Sequence, residues 1–339
     1  MVGIIALVMS MLLPTVQRVR ETANRLSCAS KLRQLGMAAH HYHAARGRLP
    51  PGYLGPSLTN NLDYPSFYGE GQWIGHFPLL LPYLEQDNLR EQIRVTFRIG
   101  IVSAEKWFWS AAAPGPGPPH VQNYTAAMND LPIFRCPSAA EFRPEINNPA
   151  PGGGGTVLGL HVYNSSAMGA FTVGWKDEYG SASAFRPLGR TNFMGVAGCG
   201  SGNHPFFSKY EGVYTNRTER TLGQITITDG TSHTLLYGET CGTHWQSPFE
   251  TMDICWMAGG GMGTYLGLHR GKTAPVIAFS SYHPAGVQFC FADGSVRMVR
   301  EGMSRWNGLS PTFTNDWHLL QQLAGWRDGA AADTGSLVD

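Results

Sequence analysis

The sequence has few charged residues. Asp, Glu, Lys and Arg make up 14% of its 339 residues, against roughly 25% in an average soluble domain. The 25 basic and 24 acidic side chains leave a net charge of +1. That balance indicates no basic surface for nucleic acid or for another acidic polymer. We therefore expect no nucleic-acid partner.

The common catalytic and metal motifs are also missing. No Gly-x-Ser-x-Gly nucleophile elbow and no His-Glu-x-x-His helix occur. The six cysteines include no Cys-x2-Cys pair, which excludes a zinc knuckle. Their pairing among themselves stays open at this stage. These absences favour a protein that is not an enzyme, and we expect no cofactor.

A hydrophobic run long enough to cross a membrane is missing as well. Residues 1–13 are apolar, but as a helix they span only about 20 Å, against about 30 Å for the hydrocarbon core of a bilayer. Pro14 follows directly. Two explanations fit: the run is a buried helix, or the natural start lies upstream of Met1 and the membrane segment is longer.

After Pro14 the chain is amphipathic up to Arg46. Apolar residues recur at spacings of three and four, which predicts one continuous helix. Gly47 can adopt the left-handed cap, and the two prolines that follow prevent continuation. The predicted apolar stripe consists of Val16, Val19, Ala23, Leu26, Ala29, Leu32, Leu35, Ala39 and Tyr42. We therefore divide the chain into a helix, residues 1–46, and a globular domain, residues 47–339.

The globular domain should be rich in loops and strands. The chain contains 42 glycines and 22 prolines, and 11% of its residues are aromatic. We expect a short helix within residues 73–89 and a short strand at 131–138. Alternating apolar residues predict two further strands, 225–228 and 234–239, on either side of Asp229-Gly230, and we expect their loop to be longer than two residues.

A β-hairpin is predicted for residues 287–300. Two alternating apolar runs flank Asp293-Gly294, the strongest short hairpin signal. A two-residue loop would place Phe289 opposite Met298 on one apolar face. We therefore expect a sheet that is apolar on one side only.

Several segments resemble a known family. These are Leu12–Gln17, Cys28–Leu35, Ile227–Glu239, and the stretch in which nine residues separate His283 from Asp293. They are similar to type IV prepilin-like, or pseudopilin-like, proteins. The closest similarity is to the family that joins such a helix to a domain of unknown function with a C-terminal His-x9-Asp-Gly motif.

This resemblance implies a fold. It is a pilin-like α+β fold, in which the long helix packs on an antiparallel sheet through Leu26, Leu32 and Leu35. The resemblance also marks His283, Asp293 and Gly294 as a structural motif. From the residues themselves we expect Asp293 to be the turn residue and His283 to bond the backbone of the incoming strand. Cys28 and Cys136 both lie in segments that resemble the family, which makes them the expected disulfide pair.

A function is implied in the same way. The chain would be a membrane-anchored structural subunit that crosses the inner membrane once, with its body in the periplasm or on the cell surface. Its partners would be membrane lipid and other pilin-like subunits. If the natural start lies upstream of Met1, prepilin peptidase and the assembly machinery would be partners too. The basic residues that follow the apolar run would instead keep the body in the cytoplasm. The predicted location therefore depends on the resemblance.

Two other functional classes stay open. The first is an anchored ligand-binding module, for carbohydrate for example, with an exposed groove of aromatic residues. Its candidate residues are Trp107, Trp109, Trp175, Trp245 and Trp256. The second is a hydrolase built on His283 and Asp293. Ser280 and Ser281 are near in sequence, but neither lies in a nucleophile elbow.

The sequence offers two candidate metal sites. Calcium could bind among carboxylates in loops, and the candidates are Asp229, Glu239, Asp253 and Asp293. His40 and His43 share one helical face, but no carboxylate lies within the next turn. For the histidines we favour packed or solvated positions near the helix end.

Overall fold

The chain has an α+β fold in this computed structural model, which describes residues 2–55, 71–101, 120–139, 154–162, 171–177, 188–199, 206–241, 251–271, 274–305, 313–329 and 337–338. The helices are α1 (Val2–Arg46), α2 (Phe77–Leu80), α3 (Asp87–Arg90), α4 (His120–Ala127), α5 (Leu222–Thr228) and α6 (Asn315–Ala324). The strands are β1 (Tyr53–Leu54), β2 (Ile74–Gly75), β3 (Gly154–Val162), β4 (Phe171–Asp177), β5 (Arg190–Thr191), β6 (Phe193–Gly198), β7 (Leu235–Glu239), β8 (Thr251–Cys255), β9 (Gly261–Gly263), β10 (His269–Arg270), β11 (Ser280–Ser281), β12 (Val287–Phe291) and β13 (Val296–Val299).

Helix α1 continues through Pro14 and ends at Arg46. Gly47 follows with φ +73°, and its N–H donates to the carbonyl of His43 at 2.7 Å. This is the left-handed cap that glycine accepts without steric cost. None of the described helices combines the length and the apolarity that crossing a bilayer requires.

The head-facing side of α1 begins at Cys28. Cys28, Leu32, Leu35 and Ala39 are completely buried, and their spacing of four, three and four residues forms one stripe. Leu26 was predicted to join this stripe, and that prediction was wrong, because its side chain is 63% exposed. Leu26 lies two residues before Cys28, which turns it about 200° around the helix.

The core of the domain is a sheet with the order β13-β12-β7-β6-β9 among the described strands. Of the pairs between these described strands, only β6–β9 is parallel. Helix α1 packs across β12, β7 and β13 on one face, while the apolar residues of α6 contact the other face. A second sheet has the order β4-β3-β8-β5. The central sheet is therefore apolar on both faces.

The predicted hairpin exists, but its register is shifted by one residue. Phe289 lies opposite Arg297, and Cys290 lies opposite Val296. The loop contains three residues and ends at Gly294 with φ +83°, as in a type I turn followed by a left-handed residue. We predicted the two-residue loop on the assumption that only one face of the sheet is apolar. Because both faces are buried, the apolar pattern does not fix the register.

Three local predictions need correction. Residues 225–228 belong to helix α5 rather than to a strand, because Thr221 and Gln224 form a capping box at its start. Residues 131–138 contain two short 3-10 turns instead of a strand. The helix expected within 73–89 is divided into α2, a 3-10 turn and the start of α3.

We predict that Gly36→Ala destabilises the domain by about 1 kcal/mol. An alanine Cβ at this position would lie 2.5 Å from the buried sulfur of Cys290. Overpacking of a core costs about 1–3 kcal/mol, and the gain of about 1 kcal/mol in helix propensity offsets only part of a typical cost in this range. Urea unfolding measures the difference.

The control is Gly223→Ala in α5, where the added Cβ meets nothing closer than 3.8 Å. This variant should be neutral or slightly stabilised. In a Cys290→Ala background the cost of Gly36→Ala should disappear. An equal cost in both backgrounds would contradict the close contact.

Candidate functional site

Five polar side chains from four separate segments meet beside the middle of α1. The helix provides Glu21 and Cys28, and Cys136 lies between the two 3-10 turns of residues 132–139. Glu239 is the last residue of β7, and His283 follows β11. We call these five residues the helix–head cluster. It forms only when the helix, the sheet and the turns are assembled.

The two cysteines of the cluster form a disulfide. The sulfurs of Cys28 and Cys136 are 2.20 Å apart, and the Cα atoms are 5.2 Å apart. The pair closes a loop with a sequence separation of 108 residues. For a loop of about 100 residues, the chain-entropy model gives a stabilisation of about 4.7 kcal/mol. The disulfide therefore ties α1 to the head.

His283 lies between two carboxylates and is completely buried. Its Nδ1 is 2.5 Å from Oε1 of Glu21, and its Nε2 is 3.3 Å from Oε1 of Glu239. Its backbone N–H donates to Oγ of Ser281 at 3.1 Å. A protonated imidazole has two N–H donors, one for each carboxylate. The side chain of His283 thus bonds two acidic side chains. From the sequence we had predicted a bond to the strand backbone instead.

The pKa of His283 is raised above its ordinary value of 6.5. Burial alone would lower this pKa, because it disfavours the charged imidazolium. The hydrogen bond and the charge of Glu239, followed by those of Glu21, act in the opposite direction and outweigh burial. The site therefore favours the protonated histidine.

The remaining oxygens of both carboxylates are also hydrogen-bonded. Oγ of Ser138 donates to Oε2 of Glu21 at 3.1 Å. The backbone N–H of Gln288 donates to Oε2 of Glu239 at 3.1 Å. Since each carboxylate has a second partner, both are held in one orientation toward His283.

The disulfide is in contact with the histidine. Sγ of Cys136 lies 3.7 Å from Nε2 of His283 and 3.9 Å from Oε1 of Glu239. A sulfur in a disulfide carries no proton and is not the thiolate that nucleophilic catalysis requires. In this form the cluster joins a covalent cross-link to a hydrogen-bonded ion pair.

An open cleft of about 390 Å³ lies next to the cluster. Its lining includes Glu21 and two residues that directly follow and precede cluster members, Pro137 and Tyr282. Arg20 and Asn24 of α1 line it as well. The side chain of Glu21 remains 33% exposed, so the cleft reaches the cluster from solvent.

The predicted His283 and Asp293 motif does not form a pair. Asp293 is exposed, and its Oδ1 accepts the backbone N–H of Ser295 at 2.8 Å. With Gly294 at φ +83°, this residue serves the hairpin turn. The two ends of the motif therefore have separate structural roles, and the partners of the histidine are the two glutamates.

The structure does not bring the calcium candidates together in the described part of the chain. Asp229 accepts the backbone N–H groups of residues 328 and 329. Asp253 pairs with Arg190 at 2.6 Å, and Glu239 belongs to the helix–head cluster.

The other candidates have separate surroundings too. Nε2 of His40 is 2.9 Å from the carbonyl of Ala292, whereas Nε2 of His43 accepts the N–H of Leu222. Trp256 of the aromatic groove is completely buried. The side chains of the other four candidates, Trp107, Trp109, Trp175 and Trp245, lie outside the part that the structure describes.

Sequence reasoning missed two members of the cluster. Glu21 lies seven residues before Cys28, and this spacing places both on one helical face; the signal was present in the sequence. Glu239 was considered only as one of several scattered carboxylates. Nothing local in the sequence joins it to a histidine 44 positions later.

We predict a pH-dependent cost of Glu21→Gln. Because the folded-state pKa of His283 is raised, its ion pairs stabilise the fold fully below pH 6.5 and lose this effect as the pH rises through the raised pKa. The variant should lose about 1 kcal/mol at about pH 5.5 and less at about pH 9. Urea unfolding at both values measures this.

The matched control is Glu91→Gln, which removes the charge of an exposed glutamate in the short segment after α3. It should show no such dependence. A cost of Glu21→Gln that is constant with pH would contradict the protonated state of His283.

Comparison with known proteins adds one result. The sequence model of a family described as a protein of unknown function, DUF1559, matches residues 17–266 and 263–303. These ranges include every residue of the helix–head cluster. No curated protein and no solved structure matches the chain. Because the matched residues make up most of its length, the chain belongs to the DUF1559 family.

Proposed function

We propose that the chain is a membrane-anchored, pilin- or pseudopilin-like structural subunit whose globular head lies outside the cytoplasm. The observation that carries this proposal is the division of α1 into two apolar faces. One face, from Cys28 onward, is buried against the head. The other lies earlier in the helix and is exposed.

The exposed face is a regular stripe, which we call the free seam. It consists of Leu12, Val16, Val19, Ala23 and Leu26. The four large side chains are between 53% and 64% exposed. Spacings of four, three, four and three residues are those of a helix that packs along another helix. The free seam suits neighbouring helices or lipid better than water.

The size of the free seam favours many neighbours over a single partner. Complete burial of one large apolar side chain yields about 1.5–3 kcal/mol, and these are already partly covered. Four such residues therefore provide a few kcal/mol, while association costs an estimated 4–15 kcal/mol. A pair of helices in water would be marginal. A filament or a membrane, where α1 is surrounded, supplies the additional contacts.

The head is suited to being carried by this helix. The disulfide and the pair between His283 and Glu21 both attach α1 to the head, beside the end of the free seam. A force on the seam would therefore reach the head through a cross-link and not through a flexible hinge. Membrane lipid and other pilin-like subunits are the partners in this proposal, which includes no catalytic step.

Among the described residues, no observation favours the alternative of a carbohydrate-binding module. A stacking platform needs exposed aromatic faces, and Trp256 has none. Of the other described tryptophans, Trp73 and Trp317 are buried and Trp326 is partly exposed.

We predict that Val19→Cys yields disulfide-linked dimers when the protein is oxidised in the cells that produce it. If the free seams of neighbouring copies pack together, the two introduced thiols come close enough to join. Arg18→Cys is the control on the same helix, because residue 18 is exposed but turned about 100° from the seam. Ile227→Cys, whose native side chain is 85% exposed on the head, is the second control. Non-reducing electrophoresis measures the dimer fraction.

If both controls cross-link as strongly as Val19→Cys, the contact between subunits is not along the free seam. The assembly proposal would then fail, while the fold of the head would be unaffected.

A second prediction separates assembly from stability. The double variant Val16→Glu, Val19→Glu should leave the unfolding midpoint of the head unchanged, because both side chains are already more than 60% exposed. It should remove most of the protein from the fraction that sediments with membranes or filaments. Ile227→Glu should sediment like the wild-type protein. Normal sedimentation of the double variant would contradict the proposal.

A further inference from the structure

We propose that Cys28, Cys136, Glu239 and His283 bind one zinc ion when the disulfide is reduced. The donor atoms of these four side chains all lie within 4.8 Å of one another, and all four residues are buried. The zinc ion and the disulfide would be two alternative ways of cross-linking Cys28 of α1 to Cys136 of the head. This inference does not depend on the proposed function.

The distances already approach those of a tetrahedral zinc site. Zinc bond lengths imply about 3.5 Å between sulfur and nitrogen, about 3.6 Å between sulfur and oxygen, and about 3.4 Å between nitrogen and oxygen. The corresponding distances among Cys136, His283 and Glu239 are 3.7, 3.9 and 3.3 Å. The main change is that the S–S bond must open and the two sulfurs must move to about 3.8 Å apart.

The donor set selects the kind of metal. Two thiolates, one imidazole and one carboxylate form a mixed sulfur, nitrogen and oxygen site, which suits zinc. Calcium and magnesium prefer oxygen donors alone. Two thiolates and one carboxylate bring three negative charges against two positive charges on zinc, so the metal offsets most of the charge that the buried ligands carry.

The surroundings of the ligands match those of metal sites. Metal-binding histidines commonly donate their other ring N–H to a carboxylate, which fixes the ring and its tautomer. Glu21 accepts from Nδ1 of His283, so Nε2 is left to face the sulfurs and Glu239. The N–H of Gln288 orients the carboxylate of Glu239 in the same way. A disulfide alone requires none of these contacts.

Exchange of the disulfide for zinc begins with reduction. A thiol or phosphine reductant supplies two electrons, the S–S bond breaks, and the two sulfurs take up two protons. Zinc then replaces both thiol protons and the proton on Nε2 of the imidazolium, and these protons leave to solvent. The cleft beside Glu21 offers an entry path. In either state residue 28 remains joined to residue 136, so α1 stays attached to the head.

The test uses the full chain, reduced with a phosphine, with opening of the disulfide confirmed by alkylation and mass spectrometry. Cobalt(II) and then zinc are titrated into the reduced protein. We expect one equivalent of cobalt to give the visible bands of tetrahedral thiolate coordination, and zinc to displace it. The oxidised protein should give no such bands.

Variants identify the ligands. His283→Gln and Glu239→Gln should weaken zinc binding at least ~100-fold, and Glu21→Gln roughly 10–100-fold, because it orients a ligand without touching the metal. Cys290→Ala is the matched control, since it removes a buried thiol outside the cluster. It should bind like the wild-type protein.

If the head stays folded on reduction, either of two results would overturn the proposal. One is a reduced protein, with its disulfide open, that gives no thiolate–cobalt bands. The other is binding that His283→Gln and Cys136→Ala leave unchanged, which would place the metal on other thiols. If reduction unfolds the head, recovery of the native circular dichroism with one equivalent of zinc supports the site. Failure to recover contradicts it.

Discussion

The attachment of α1 to the central sheet is the constraint on which the rest of the structure depends. One helix must bury the face that starts at Cys28 and still leave the face that ends at Leu26 exposed. The two faces are about 200° apart, so a rigid helix cannot offer both to the same neighbour. Burial of Leu32 and Leu35 fixes its rotation on the sheet. That rotation in turn determines where the free seam points.

The helix–head cluster lies where the buried face of α1 begins. A buried charge is costly unless it is paired and hydrogen-bonded, and even a good pair often adds little net stability. His283 and Glu239 are buried, and both carboxylate oxygens of Glu239 have partners, which limits this cost. The stability here comes mainly from the cross-link, at about 4.7 kcal/mol. The ion pair between Glu21 and His283 instead fixes how the helix is oriented on the head.

The sequence was most informative where one element decides its own structure. Spacing and the cap at Gly47 indicated a long helix, and the described helix ends at Arg46. The predicted stripe failed at Leu26 because two stripes on opposite faces look like one when only spacings of three and four are counted. The exposed stripe ends at Leu26 and the buried stripe begins at Cys28, two residues later. The two can be told apart only when the position of the head is known.

The remaining errors have a common origin in tertiary contacts. Residues 225–228 alternate between apolar and polar as a strand does. The capping box at Thr221 nevertheless starts a helix, in which Ile225 is buried and Ile227 is exposed to solvent. The hairpin register moved by one residue because helices cover both faces of the sheet. In each case the local pattern allowed two structures, and packing against distant residues selected between them.

The cluster shows the same limit for function. Its members come from five separated positions between 21 and 283, so no sequence motif contains it. The His-x9-Asp-Gly pattern directs attention to Asp293, yet that residue serves the turn, while the histidine reaches back to α1. A histidine held on both nitrogens by carboxylates, with two sulfurs beside it, has more polar partners than a structural disulfide needs. This excess is the physical reason to regard the attachment point of the helix as a site with chemistry of its own.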